Sequence, residues 1–178
     1  MRIISGKLKG KHFHPGKGFR DRPTTDFARE ALFNILHNYF DIESITVLDL
    51  FSGTGGISFE FASRGCPSVE LVEINSRYLS MIERNISGFE FDQISPYSGD
   101  AFAFIRNTPS SYDIIFADPP HSMEGVDKIP ELVFERGILK TGGWLVLEHD
   151  KRHEFSEHPF FRETRRYGNV LFTIFEKD

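Results

Sequence analysis

The sequence predicts an α/β fold, with a mostly parallel β-sheet and helices on both of its faces. From residue 45 onward, short apolar or β-branched runs alternate with helical segments, a pattern that favours parallel strands joined by crossover helices. Two further strand-like runs, 161–167 and 169–176, meet at Gly168 and predict a terminal hairpin with one antiparallel strand. With 178 residues, of which 39% are hydrophobic, the chain suits one domain with a real core.

Composition narrows the class of protein. Charged residues make up 26% of the chain, which is ordinary for a soluble globular protein, and no apolar run is long enough to span a bilayer. No charged-then-apolar leader is present, so we expect a cytoplasmic protein without a membrane partner. The one cysteine, Cys66, excludes an internal disulfide and any multi-cysteine zinc site, and we expect no bound metal.

The first 22 residues are basic and the remainder is acidic. Residues 1–22 carry seven Lys or Arg and one acid, a net charge of +6, whereas the rest of the chain carries −11. Such a division predicts an arm that meets a polyanion. The candidate contacts are Lys7, Lys9, Lys11, Arg20 and Arg22. Apolar and polar residues alternate imperfectly over 2–15, which predicts a hairpin of two short strands; a flexible solvated tail is the alternative. We therefore divide the chain into an arm (1–22) and a main domain (23–178).

A helix start precedes the first strand. The segment 22–26, Arg-Pro-Thr-Thr-Asp, offers Thr25 or Asp26 as a cap, because short side-chain oxygens satisfy the first free amides of a helix. The apolar residues that follow predict a helix running to about Tyr39. Because this segment directly precedes the sheet, it is a candidate lip of a ligand pocket; the plainer interpretation is a helix start alone.

A glycine-rich loop lies between the first strand, 45–50, and a helix at 57–64. Glycines let a backbone approach a ligand closely, although a plain strand-to-helix turn uses them too. The dinucleotide fingerprint needs a glycine where Ser58 stands, and no Gly-Lys-Ser/Thr follows, so NAD and P-loop sites are disfavoured. Asp49 ends the strand, and its carboxylate suits a ligand that carries an ammonium group. The run Asp-Leu-Phe-Ser-Gly-Thr-Gly at 49–55 resembles motif I of class I S-adenosylmethionine (SAM)-dependent methyltransferases.

Two more acids end predicted strands. Glu73 closes the second strand, 24 residues after Asp49, where an acid in this architecture accepts from ribose hydroxyls; a surface acid is the alternative. Asp100 lies near the end of a weaker strand-like stretch at 94–101. The resemblance to SAM-binding domains implies that Asp100 accepts a hydrogen bond from the adenine amino group. Asp100 can equally cap the helix 101–107.

The fourth strand, 112–117, ends in Asp118-Pro119-Pro120-His121, ahead of a helix at 129–136, a Gly142-Gly143 turn and a fifth strand at 144–148. The tetrad resembles motif IV of amino-methylating enzymes. A carboxylate and a backbone carbonyl can each accept one N–H of an exocyclic amino group, which aims its lone pair at the methyl. The prolines stiffen the loop, and His121 replaces the usual stacking aromatic with a smaller ring. A rigid strand-end turn is the alternative.

The whole chain resembles the RsmD family of 16S rRNA (guanine-N2)-methyltransferases. The resemblance rests on Arg-Ile-Ile-Ser-Gly at 2–6, on Arg-Pro-Thr-Thr-Asp-Phe-Ala-Arg-Glu at 22–30, and on both motifs above. It implies a Rossmann-like class I methyltransferase fold with a seven-stranded sheet and an N-terminal β-hairpin extension. It also implies SAM as cofactor and 16S rRNA or the assembling small subunit as partner. We expect a monomer. The implied cofactor-binding residues are Thr24, Asp49, Phe51, Ser52, Gly53, Thr54, Gly55, Glu73, Ile74, Asp100 and Ala101.

Other functions remain open from the sequence. The tetrad also suits methylation of DNA adenine or of a protein glutamine, although the chain has no separate target-recognition domain. A non-catalytic RNA-binding assembly factor on the same fold is a third interpretation, and the intact Asp49 and Asp118 count against it.

Overall fold

The computed structural model describes residues 1–13 and 24–178, so Arg20 and Arg22 lie outside the described residues. The strands are β1 (Thr46–Leu50), β2 (Ser68–Glu73), β3 (Ile94–Ser98), β4 (Tyr112–Ala117), β5 (Leu139–His149), β6 (Phe161–Tyr167) and β7 (Val170–Glu176). The helices are α1 (Asp26–Tyr39), α2 (Gly56–Ser63), α3 (Ser76–Phe89), α4 (Ala101–Asn107) and α5 (Lys128–Arg136).

All seven strands belong to one sheet, in the order β3-β2-β1-β4-β5-β7-β6. Strands β1 to β5 are parallel, and β7 runs antiparallel between β5 and β6. The strand order reverses between β1 and β4, and ligands of such sheets bind outside the carboxyl ends of the strands at that reversal. The predicted α/β class with one antiparallel strand among parallel ones is confirmed.

Helices cover both faces, because successive side chains of a strand point to opposite sides. Val47 of β1 packs in a cluster with Phe33 of α1 and Phe61 of α2, and α3 completes this layer. Its neighbour Leu48 packs on the other face with Ile105 of α4 and Val133 of α5. None of the helices in the described ranges is long and apolar enough to cross a membrane.

Helix α1 begins where the sequence predicts. The Thr25 side chain accepts the amide of Ala28, 3.2 Å away, and the helix ends at Tyr39. Its buried face includes Ala28, Leu32 and Leu36, at the four-residue spacing of one helical stripe. That stripe packs on the sheet, and Thr24, two residues before α1, lines a cavity at the carboxyl ends of the strands.

The N-terminal segment is fastened to α2 rather than paired along two strands. Within residues 1–13 the chain turns back antiparallel around a bridge between Arg2 and His12, with the Ile3 amide donating to the Lys11 carbonyl at 2.9 Å. Amides that would extend a strand ladder are taken by the fully buried Glu60 of α2, which accepts from Ile4 and Ser5 at 2.8 and 3.0 Å. Ile3 and Phe13, on either side of the bridge, are buried in the same core as α1 and α2.

Strand β5 is longer than predicted. The predicted turn at Gly142-Gly143 was wrong, because both glycines lie inside the strand. They form an irregularity opposite β4, where the register shifts between Tyr112 and Ile114. Gly142 has φ +74°, and a Cβ on Gly143 would lie 2.8 Å from the Asp113 carbonyl oxygen, so both positions favour glycine for backbone reasons rather than for a chain reversal.

Candidate functional site

A cavity of about 560 Å³ opens at the carboxyl edge of the sheet, within the usual range for small-molecule sites. It brings together the loop after β1, the end of β2, the start of α4 and the loop after β4. The sequence-predicted residues that line it are Thr24, Asp49, Phe51, Ser52, Gly53, Thr54, Glu73, Ile74, Asp100, Ala101, Asp118, Pro119, Pro120 and His121. Gly55 faces the other way, since a Cβ there would lie 2.9 Å from the ring of Phe59.

Asp49 places a buried carboxyl in this cavity. Its side chain is 1% exposed, and Ser58 of α2 donates a hydrogen bond to it at 2.6 Å. Burial raises the pKa of Asp49 to about 7, with the nearby Glu73 acting in the same direction. A cationic group in the cavity would stabilise the ionised form, as the sequence leads us to expect for an ammonium.

The loop after β1 is held in a conformation that few residues adopt. Phe51 has φ +60° and Gly53 has φ +55°. A left-handed conformation strains a residue that has a Cβ, so the loop must be fixed by its surroundings. The Ser52 hydroxyl donates to the Asp49 carbonyl at 2.9 Å, and the Gly55 amide donates to the Ser52 carbonyl at 2.8 Å.

Glu73 joins the loop after β1 to the end of β2. One carboxylate oxygen accepts the Gly53 amide at 2.8 Å, and the other accepts the Asn75 amide at 2.7 Å. The Glu73 carboxylate also lines the cavity.

Asp100 and Ile74 line the far end of the cavity. The Asp100 side chain accepts the amide of Ala103 at 2.8 Å, so its predicted role as the cap of α4 is confirmed. Its cavity position leaves the second predicted role available. Ile74 is 69% exposed and offers an apolar surface directly after β2.

The loop after β4 carries Asp118 to His121 to the mouth of the cavity. Its far end is fastened by Arg152, which donates to the His121 carbonyl at 2.6 Å and pairs with Asp150. The His121 ring is 73% exposed and lies 3.7 Å from the Asp150 carboxylate. The ring is therefore available for contact with a ligand that enters from solvent.

Arg29 belongs to the 22–30 run that carries the family resemblance, but it was not predicted to be a site residue, and it lines the cavity. Its side chain is 1% exposed, donates to Asp26 and to the Arg2 carbonyl, and leaves the buried Nε without a hydrogen-bond partner. Burial lowers its pKa, and Glu60 and Asp26 oppose that shift. Arg29 stands in the apolar stripe of α1, where a basic residue is unexpected, and this was the available signal.

Other cavity residues had weaker signals. Met1, Tyr78 and Met123 contribute to the wall without belonging to any motif. Thr24 also meets an acid that the sequence analysis did not single out, since its hydroxyl donates to the buried Glu148 at 2.7 Å.

The remaining predicted residues lie away from the cavity. Lys7, Lys9 and Lys11 are exposed on the N-terminal segment. Cys66 is fully buried, and burial raises the pKa of its thiol to about 11. Across residues 1–13 and 24–178, no group of three His, Cys, Asp or Glu side chains is arranged to hold a metal ion.

Known proteins resemble the chain along most of its length. A family model described as Conserved hypothetical protein 95 matches residues 1–176. YlbH of Bacillus subtilis is 32% identical over 161 residues, which are 88% of this chain and 86% of that protein. Ribosomal RNA small subunit methyltransferase D of Buchnera aphidicola subsp. Acyrthosiphon pisum is 30% identical over 151 residues, 84% of this chain and 78% of that protein. The solved structure of yhhF from Escherichia coli matches with a TM-score of 0.88, at 23% identity, over 100% of this chain and 98% of that chain, and this likeness shows the fold.

Proposed function

This chain belongs to the family described as Conserved hypothetical protein 95, the RsmD family, and on that premise we propose that it methylates the N2 amino group of a guanine in 16S rRNA. The methyl donor is S-adenosylmethionine. The observation that carries the proposal is that the Asp118–His121 loop and the acids Asp49 and Glu73 line one cavity.

The described residues fit the two charged ends of the cofactor's amino acid. Asp49 supplies a carboxylate for the ammonium group. Arg29 and the N-terminus of α2, which has no side-chain cap, both present positive charge for the carboxylate. When bound, S-adenosylmethionine supplies an electrophilic methyl group on a sulfonium sulfur.

The nucleoside end of the cofactor fits the opposite part of the cavity. The Glu73 carboxylate lines this part of the cavity, and a carboxylate can accept hydrogen bonds from ribose hydroxyls. Ile74 offers an apolar surface to the adenine ring, and Asp100 with Ala101 lies where the adenine amino group would be read. These roles extend the sequence predictions to the geometry of the cavity.

Asp118 and a proline carbonyl orient the acceptor amine. An exocyclic amino group is a weak nucleophile because its lone pair is delocalised into the base. Two acceptors on its N–H bonds favour a pyramidal nitrogen, and positioning then accounts for most of the catalysis. The exposed His121 ring stacks on the base, and Arg152 holds the carbonyl of that residue in place.

The burial of Cys66, the one cysteine of the sequence, supports a nitrogen atom as the methyl acceptor. Methylation of a pyrimidine carbon requires a nucleophilic thiol that first attacks the ring. Cys66 is fully buried, its pKa is raised to about 11 by burial, and its thiol donates to the Ile45 carbonyl at 3.3 Å. The thiol is therefore withheld from chemistry, and the reaction proceeds without a covalent enzyme–base adduct.

The RNA contact is assigned to the basic N-terminal residues. Lys7, Lys9 and Lys11 are exposed, and the rest of the chain is acidic, so phosphates approach this side of the molecule. Arg20 and Arg22 are proposed to join them, on the sequence alone. The target guanine must be unstacked to enter the cavity, which favours a loop or an assembling subunit over a duplex.

The experiment that tests the proposal offers competing acceptors. The protein is incubated with methyl-labelled S-adenosylmethionine and, in separate reactions, with small-subunit RNA, duplex DNA or total cell protein. We expect label in the RNA. Label in DNA would indicate adenine as the methyl acceptor, and label in protein would indicate glutamine. Label in none of the three would favour a non-catalytic RNA-binding factor.

A further inference from the structure

Glu148 lies beside Asp118 at the carboxyl edge of the sheet. Strands β4 and β5 are paired up to Ala117 and Leu147, so Asp118 and Glu148 are the next residues of the two neighbouring strands. Neighbouring strands are about 4.8 Å apart. Glu148 follows Val146 by two positions and shares its face, which is the face covered by α1.

The surroundings of Glu148 are unusual for an acid. Its side chain is 8% exposed and accepts a hydrogen bond from Thr24, at 2.7 Å. In the part of the chain that the structure describes, no basic side chain forms an ion pair with it. Burial raises the pKa of Glu148 to about 7. Burying a carboxyl is costly for the fold, and this one lies on the strand beside the Asp118–His121 loop and is bonded to a cavity residue, which points to a ligand group that it receives.

Thr24 connects Glu148 to the cavity in which the ligand group would lie. The Thr24 side chain lines the cavity, and its hydroxyl donates to one oxygen of Glu148. That contact leaves the second carboxylate oxygen, which has two lone pairs, for another donor. Glu148 is therefore joined through Thr24 to the wall of the cavity, on the strand next to the one that ends at Asp118.

The edge of guanine matches this acceptor surface. Guanine presents its N2 amino group and its N1–H side by side, and both are donors. Adenine places an acceptor, its N1, next to its amino group. An ionised carboxylate beside Asp118 accepts from guanine N1–H and repels adenine N1.

We propose that Glu148 is the residue that selects guanine, by accepting the N1–H of the target base while Asp118 holds the N2 amino group. This inference rests on the proposed function, because it requires the guanine amine as acceptor. It assigns a recognition role to a residue outside both sequence motifs. Thr24 serves as a positioning residue, since its hydrogen bond fixes one carboxylate oxygen and leaves the other toward the base.

The test compares guanosine with 2-aminopurine riboside as the target nucleotide. The methylated position in small-subunit RNA is first mapped with the wild-type protein, and RNA is then made with either nucleoside at that position. 2-Aminopurine keeps the 2-amino group, but its N1 is an acceptor. For the wild-type protein we expect kcat/KM to be at least about tenfold lower for 2-aminopurine, as for the loss of a hydrogen bond to a charged group.

The variant Glu148→Gln separates this role from a structural one. Its amide can donate to 2-aminopurine N1 and accept from guanine N1–H, so the preference should shrink to within about threefold. Glu157→Gln, an exposed acid in the following loop, is the matched control and should keep the wild-type preference. If the wild-type protein methylates the two RNAs with equal kcat/KM, the inference about Glu148 is overturned but the proposed function is not. This comparison needs no variant. An unchanged preference in Glu148→Gln would also overturn only the inference about Glu148, whereas a wild-type protein that fails to methylate guanosine RNA would overturn the proposed function as well.

Discussion

The Glu73 carboxylate accepts the backbone N–H of Gly53, 2.8 Å away, and ties the loop after β1 to the end of β2. The same side chain accepts the Asn75 amide with its other oxygen, at 2.7 Å. Glu73 thus shapes the loop backbone as well as facing the cavity, so we expect a substitution there to affect the proposed cofactor site by two routes.

Replacing Glu73 by Gln should weaken S-adenosylmethionine binding. The amide has one acceptor oxygen, so it cannot serve two backbone amides and two ribose hydroxyls at once. We expect a loss of about 1.5–3 kcal/mol, the range for hydrogen bonds to charged groups. Isothermal titration calorimetry measures it, with the exposed Glu83→Gln of α3 as control. Equal affinity in wild type and Glu73→Gln would remove Glu73 from the ribose site.

Cofactor affinity should rise between pH 6 and pH 8. Burial raises the pKa of Asp49 to about 7, and the ligand's ammonium group binds the ionised form. We expect affinity to be roughly tenfold lower at pH 6 than at pH 8 in wild type, and flat but weak in Asp49→Asn. Calorimetry across that range, in buffers of equal ionic strength, makes the comparison.

The ligand-free protein should show the opposite trend in stability. Between the ordinary Asp pKa of 3.8 and about 7, the folded state binds a proton at Asp49 that the unfolded chain has released. The free energy of unfolding therefore falls as pH rises through this window. Burial also raises the pKa of Glu148 to about 7, so this group changes the free energy of unfolding with pH in the same direction. Asp49→Asn therefore removes only part of the slope. An identical slope in the variant would contradict the buried state of Asp49.

Much of the fold was predictable because local signals agreed with the final structure. Helix α4 begins and ends as predicted, since Asp100 caps it and Thr108 follows it in an extended conformation. The acids at the ends of β1, β2 and β4 were found because parallel strands deliver their last residues to one edge. Glycine conformations in β5 were misinterpreted, because the same residue type serves turns and strand irregularities alike.

The missed residues owe their roles to contacts between distant segments. Arg29 meets the N-terminal segment through the Arg2 carbonyl, and Glu148 meets Thr24 across 124 positions of sequence. Neither contact leaves a periodic pattern. The amides of Ile4 and Ser5 also bond to a distant residue, Glu60 of α2, which the sequence pattern of the N-terminal segment does not reveal.

Gly6→Ala should detach or destabilise the N-terminal segment. A Cβ on Gly6 would lie 1.9 Å from the Ser63 carbonyl oxygen, and φ is +81°. Gly10 has φ +83° with open space around it, so Gly10→Ala carries only the conformational cost, about 1 kcal/mol. We expect Gly6→Ala to be less stable than Gly10→Ala by more than about 1 kcal/mol in urea unfolding. Equal stabilities would show that residues 1–13 are not packed on α2.

Neutralising Lys7, Lys9 and Lys11 with Gln should reduce the salt dependence of RNA binding. If each meets a phosphate, the log–log slope falls by roughly two to three units. The control removes three exposed charges on the opposite face of the sheet, with Arg106, Lys128 and Arg136 replaced by Gln. Filter binding of small-subunit RNA at several salt concentrations gives both slopes. If the two triple variants behave alike, the N-terminal lysines have no special part in RNA binding.

The most direct measurement is nucleoside analysis by mass spectrometry of small-subunit RNA treated with S-adenosylmethionine and either wild-type protein or Asp118→Ala. Asp118 lines the cavity beside its two prolines, and its loss should leave cofactor and RNA binding intact while turnover falls by about 100-fold or more. We predict N2-methylguanosine with the wild-type protein and almost none with the variant. Full activity in Asp118→Ala, or a methyl group at any position other than guanine N2, would contradict the account.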